Sequence, residues 1–63
     1  MKEYWQFDYY INGYRKTRFF YGTHAAVLRR TRHYECDNKE LKTMSKSKVQ
    51  YLKTEKNARI IDL

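Results

Sequence analysis

Proline is absent from this chain of 63 residues, glycine occurs twice and cysteine once. With so few breakers and no low-complexity stretch, most of the chain is expected to be ordered. A single thiol, Cys36, excludes an internal disulfide and suits a reducing compartment. No run approaches the roughly 18 apolar residues needed to span a bilayer. The opening residues, MKEYWQFDYY, contain no apolar core of signal-peptide length. The expected location is therefore cytoplasmic, with no membrane span. Acidic residues are also scarce: seven Asp and Glu against fourteen Lys and Arg leave a formal net charge of +7.

A chain this short lies near the lower limit for a self-supporting core, so one small basic domain over residues 1–63 is expected. Its support has to come from aromatic packing or self-association, since 17% of the residues are Phe, Trp or Tyr and each buried ring removes roughly 150–250 Å² from water. The excess of positive charge favours a polyanionic partner: DNA, RNA, an acidic protein surface or anionic lipid.

Residues 3–11 and 14–21 alternate with period two and flank Asn12-Gly13, a strong short-range signal for a β-hairpin. Register decides which side chains share a face. A two-residue loop pairs Ile11 with Tyr14 and sets Phe7 opposite Arg18 and Tyr9 opposite Lys16. A three-residue loop ending in a left-handed Gly13 pairs Tyr10 with Tyr14, Trp5 with Phe19 and Asp8 with Lys16. The second register is preferred, because the first places two cations on the core face at a cost of several kcal/mol if unpaired. It predicts an apolar face of Trp5, Phe7, Tyr9, Phe19 and Tyr21. The outward face then mixes Tyr4, Tyr10, Tyr14 and Phe20 with Lys16 and Arg18. Rings beside cations can stack unpaired bases and neutralise phosphates, or they can pack against a second copy of the chain as a homodimer.

Gly22 ends the second strand, and Thr23 is a good N-cap for a helix through HAAVLRRTRHYE. On a helical wheel Val27, Thr31, Tyr34 and His24 share one stripe, with Leu28 at its border. Arg29, Arg32 and His33 lie opposite, with Arg30 at the margin. A basic outer face of this kind can grip a phosphate backbone. CDNKELK reads as helix exit and loop, and Asp37-Asn38 either ends one helix or caps another. VQYLKT and ARIIDL have strand composition and are joined by a turn at EKN, which predicts a C-terminal hairpin. The alternative is one helix from Lys39 to Lys53 with Leu41, Met44, Tyr51 and Leu52 inward. The expected fold is α+β in the order ββαββ: an N-terminal hairpin, an amphipathic helix packed on the sheet, and a second hairpin.

Catalytic and metal patterns are thin. His33, Cys36 and Asp37 fall short of the four ligands in regular spacing that a zinc site wants, so no metal or other cofactor is expected. A Cys36–His33 pair has neither an orienting third group nor a glycine-rich oxyanion loop. A basic RNase would use His24 or His33, Glu35 as the acid, and arginines for phosphate. Any phosphate-binding helix contains those residue types, so the expectation is a protein that is not an enzyme.

Trp5, the NGYRK at Asn12–Lys16 and the THAAVL at Thr23–Leu28 together resemble the amino-terminal arm-site DNA-binding domains of phage and transposon integrases. Only two strand-like runs precede the helix here, one fewer than in those domains. The resemblance implies DNA contact by a sheet. The small size and the basic, tyrosine-rich composition are similar to those of small phage accessory proteins. The expected function is a basic DNA- or RNA-binding accessory protein. Lys16, Arg18, Arg29, Arg30, Arg32 and His33 would meet phosphates, Tyr10, Tyr14 and Phe20 would stack, and the lysines of 39–48 would add electrostatic attraction. The alternative is a small regulator or inhibitor that docks the same surface on an acidic protein such as a nucleic-acid enzyme.

Overall fold

The computed structural model describes residues 1–34, 36–55 and 58–63, with Asp37 through its backbone alone. The elements run β1 (Glu3–Ile11), β2 (Tyr14–Gly22), α1 (His24–Thr31), β3 (Asp37–Thr43), α2 (Lys46–Thr54) and β4 (Ile60–Asp62). They form an α+β fold around one mixed sheet in the order β3-β1-β2-β4. β1 pairs antiparallel with β2 and with β3, whereas β4 runs parallel to β2.

The hairpin forms as expected, but in the other register. Ile11 pairs with Tyr14, Phe7 with Arg18 and Tyr9 with Lys16. Asn12 and Gly13 both take positive φ, 52° and 81°, as a two-residue type I′ turn requires. Phe20 therefore belongs to the core with Trp5, Phe7, Tyr9 and Val27, while Phe19 and Tyr21 lie on the opposite face. Two cations on this face would be costly only if the whole face were covered. The covering instead stops short of the hairpin turn, so Lys16 and Arg18 reach solvent from that face. Arg18 lays its guanidinium 5.9 Å from the centre of the Tyr9 ring, with its stem over apolar surface and its charge in water.

Gly13 carries the turn by its backbone alone, since nothing lies within 4 Å of a Cβ placed there. Gly13→Val is therefore expected to cost about 1–2 kcal/mol in urea unfolding, purely as left-handed backbone strain. Asn12→Gly should stay within a few tenths of wild type. An equal loss in both variants would overturn the type I′ assignment.

Thr23 caps α1 as expected, its hydroxyl accepting from the Ala26 amide at 3.2 Å. The helix ends at Thr31 rather than continuing to residue 35. Tyr34, already off the helix, packs its ring 5.4 Å from Phe7 and 5.2 Å from Tyr9. His24 stacks on Trp5 at 5.0 Å, and the Trp5 indole donates to the Gly22 carbonyl at 3.1 Å. α1 thus lies on the Trp5–Phe20 face.

The C-terminal third departs most from expectation. CDNKELK is not an exit loop, because Asp37–Thr43 is the edge strand β3. Its extra residue opposite Tyr9 is absorbed in a bulge, with Asn38 at φ 46°. VQYLKT is not a strand: Ser45 caps α2 by accepting from the Lys48 amide at 3.2 Å. Nor is α2 the long helix of the alternative reading, since it starts at Lys46 and leaves Tyr51 exposed. Val49 and Leu52 are its buried residues. Leu52 sits with Tyr4, Tyr21 and Ile60 on the second sheet face, and Lys53 caps the Tyr4 ring at 5.5 Å. ARIIDL does contain a strand, but its expected partner VQYLKT is part of α2 and β4 pairs parallel with β2 instead, so the expected C-terminal hairpin does not form. Lys56 and Asn57 of the expected turn lie outside the described residues. No helix among the described residues is long and apolar enough to cross a membrane.

Candidate nucleic-acid interface

The register that forms redistributes the expected site. Along β2, Tyr14, Lys16 and Arg18 alternate outward on the α1 face, beyond the end of the covered core. Tyr14 is the most open ring of this group, at 74% exposure. The C-terminal end of α1 reaches the same end of the sheet, as Tyr34 on Tyr9 shows. It carries the exposed Arg29, Arg30 and Arg32, with the exposed His33 in the turn that follows. Lys39 of β3 donates to the Thr31 carbonyl at 3.4 Å, adding a further cation beside the helix end. Cations at a helix C-terminus also complement its negative dipole end.

Two of the expected ring contacts do not belong to this surface. Phe20 is fully buried, at 0% exposure, and cannot stack on a base. Its assignment to the outward face followed from the other register. Tyr10 is exposed but points from the second sheet face, where it borders Arg15, Asn38 and Glu40. Lys16, Arg18, Arg29, Arg30, Arg32, His33 and Tyr14 are all exposed, but Tyr14, Lys16 and Arg18 lie on the α1 face and not on the opposite face where the expected register had them.

The second face is chemically different. Asp8 is 3% exposed there. It accepts from Thr17 at 2.7 Å, from Gln6 at 3.1 and 3.2 Å and from Arg15 at 3.2 Å, with Lys42 at 3.8 Å. Burial alone would raise its pKa, but the hydrogen bonds from Thr17, Gln6 and Arg15, with the Arg15 charge, outweigh it and hold the carboxyl below its ordinary value. Arg15 and Lys42 are thereby committed to a structural carboxylate. Among the described residues the ion pairs involve Lys2, Arg15 and Lys42. Lys16, Arg18, Arg29, Arg30 and Arg32 enter none of them, so no described carboxylate neutralises the charge of the α1 end.

A recess of about 450 Å³ opens at the border of this surface, lined by Arg18, Arg30 and Arg59 with Thr17, Phe19, Ala58 and Ile61. It forms where β4 begins to pair with β2: Ile60 pairs with Phe19, so Ala58 and Arg59 pass the strand edge beside Arg18. Sequence reading missed Arg59. Its neighbours in the recess lie far away along the chain, and no local pattern links them.

The remaining candidates for chemistry are dispersed. His24 is occupied by its stack on Trp5, His33 is exposed in a turn, and Glu35 lies outside the described residues. Cys36 is half-buried against the core and directs its thiol to the Tyr34 carbonyl at 3.5 Å. Among the described residues, no three His, Cys, Asp or Glu side chains cluster as metal ligands would.

Comparison with protein-family models, curated proteins and solved structures finds no match to this chain.

Proposed function

We propose that this chain is a non-enzymatic nucleic-acid-binding module of accessory type, working inside the cell. The observation that carries the reading is the gathering of Lys16 and Arg18 with Arg29, Arg30 and Arg32 at one end of the α1 face, outside the ion pairs of the described residues. Guanidinium groups exposed on one helix and the adjoining strand suit phosphate oxygens, which they can meet with paired hydrogen bonds. Tyr14 offers an open ring beside them for an unpaired base. Contacts of this kind neutralise the backbone and carry little sequence information, so limited sequence specificity follows.

The test is fluorescence anisotropy of end-labelled single- and double-stranded DNA and RNA. The label belongs on the oligonucleotide because Trp5 is buried. About five phosphate contacts predict an affinity loss of roughly a hundredfold or more from about 50 to about 200 mM salt. Arg29→Gln combined with Arg32→Gln should lower the salt slope by roughly one to two units. Affinity that holds constant over that salt range would count against the reading. Absence of binding at low salt would leave an acidic protein surface as the partner for the same cations.

A further inference from the structure

Arg18 comes from β2, Arg30 from the last turn of α1, and Arg59 from the segment leading into β4. These three arginines line one recess of about 450 Å³, with no acidic side chain among its described lining residues. Arg18 donates to the Thr17 carbonyl at 3.1 Å, and none of the three takes part in an ion pair among the described residues. Cations brought together without a counter-charge repel one another, and an anion in the recess relieves that repulsion. The remaining lining residues are the half-buried Thr17, Phe19, Ala58 and Ile61, of which Phe19 contributes from the strand while its ring projects to the second sheet face.

The shape and the charge select among phosphates. The recess is several times larger than a bare phosphate needs and falls in the size range of small-ligand pockets. An internal phosphodiester carries one negative charge on two free oxygens and is flanked by sugar on both sides. A monoester carries close to two negative charges near neutral pH and three free oxygens. Three arginines lining one recess match the two charges and three oxygens of the monoester, and the apolar Ala58 and Ile61 beside them suit the sugar attached to it. We propose that this recess binds a phosphate monoester borne on a nucleotide: the terminal phosphate of a nucleic-acid strand or that of a free mononucleotide. The inference rests on the nucleic-acid reading of the same surface and adds a preference for strand ends.

The experiment compares three versions of one short single strand, with a 5′-phosphate, a 3′-phosphate or two hydroxyl ends, in wild type and in Arg59→Gln and Arg18→Lys proteins. Free nucleoside 5′- and 3′-monophosphates are titrated in parallel by NMR. One of the phosphorylated strands is expected to bind wild type at least about tenfold more tightly than the hydroxyl-ended strand. The ratio should fall towards one in Arg59→Gln. It should also fall in Arg18→Lys, which keeps the charge but loses the planar fork. Because the readout is a ratio within each protein, general weakening of backbone contacts cancels, and circular dichroism verifies that each variant is folded. Equal binding of all three strands would overturn the recess assignment and leave the nucleic-acid reading standing. Saturable mononucleotide binding lost in Arg59→Gln, with no strand bound, would support the recess as a free-nucleotide site and overturn the nucleic-acid reading. Binding of neither strand nor mononucleotide would overturn both.

Discussion

Phe20→Ala is expected to leave the protein largely unfolded at room temperature, whereas Phe19→Ala folds. Phe20 is completely enclosed beneath α1, its ring 6.3 Å from that of Phe7 and 6.4 Å from that of Tyr34. Truncating a ring in such a site costs about 3–5 kcal/mol, as lost transfer energy plus a cavity that close-packed neighbours cannot fill. A domain of this size has roughly 3–9 kcal/mol to lose. Phe19 is half-buried on the other face, between Gln6 of β1 and Ile60 of β4. Its loss should cost about 1–2 kcal/mol, in proportion to the smaller area returned to water. Circular dichroism and urea titration of the two variants read the result directly. The outcome also reports register, because a three-residue turn loop would bury Phe19 and expose Phe20. Greater damage from Phe19→Ala would sink the pairing described above.

The same pair of phenylalanines shows how far the fold is legible in the sequence. Period-two alternation and Asn12-Gly13 suffice to place β1, β2 and the turn, because local backbone preference sets all three. They do not suffice for register, which depends on how far a helix covers the sheet. That extent is a tertiary fact: α1 stops at Thr31, so Arg18 escapes along Tyr9 rather than being trapped beneath a longer helix. Thr23 and the Val27–Thr31 stripe are likewise local and legible. β3 is not, since Leu41 is the only aliphatic residue in DNKELKT, and an edge strand is guarded by its charges rather than marked by apolar alternation. In α2, Val49 and Tyr51 suggest a strand by composition, but the Ser45 cap and the i, i+3 pair Val49–Leu52 prevail because the second sheet face offers Tyr4 and Tyr21 to cover. On the candidate site, exposed arginines of one helix can be read from a wheel. A recess made by residues 18, 30 and 59 cannot, because only the parallel pairing of β4 with β2 brings the third arginine to the first.

Asp8→Asn is the second substitution with a large expected effect, and its signature is a dependence on pH. The side chain keeps its shape, but one of its oxygens becomes an amino group facing donors from Thr17, Gln6 and Arg15. A buried acceptor turned donor, with a lost charge-assisted bond, costs about 2–3 kcal/mol at neutral pH. That figure is already discounted because Arg15 and Lys42 are half-exposed and can be rehydrated. In wild type the folded-state pKa of Asp8 lies below the ordinary value of 3.8. Near that ordinary value and below it, the unfolded chain takes up the proton more readily than the folded one. The carboxylate's contribution is therefore complete above about pH 4 to 5 and is lost as pH falls through the lower folded-state value. Asp8→Asn has no proton to gain at this position. The stability difference between the two proteins should be widest at neutral pH and shrink on acidification to about pH 2.5, as measured by urea unfolding at each pH. A difference that stays constant across that range would mean that the carboxylate's charge does not stabilise the fold, and that packing at position 8 accounts for the whole loss. A shrinking difference would show that Arg15 and Lys42 are held by Asp8 at neutral pH. Arg15 and Lys42 are then withheld from phosphate, whereas Lys16, Arg18, Arg29, Arg30 and Arg32 at the α1 end, where the phosphate contacts are proposed, enter no ion pair among the described residues.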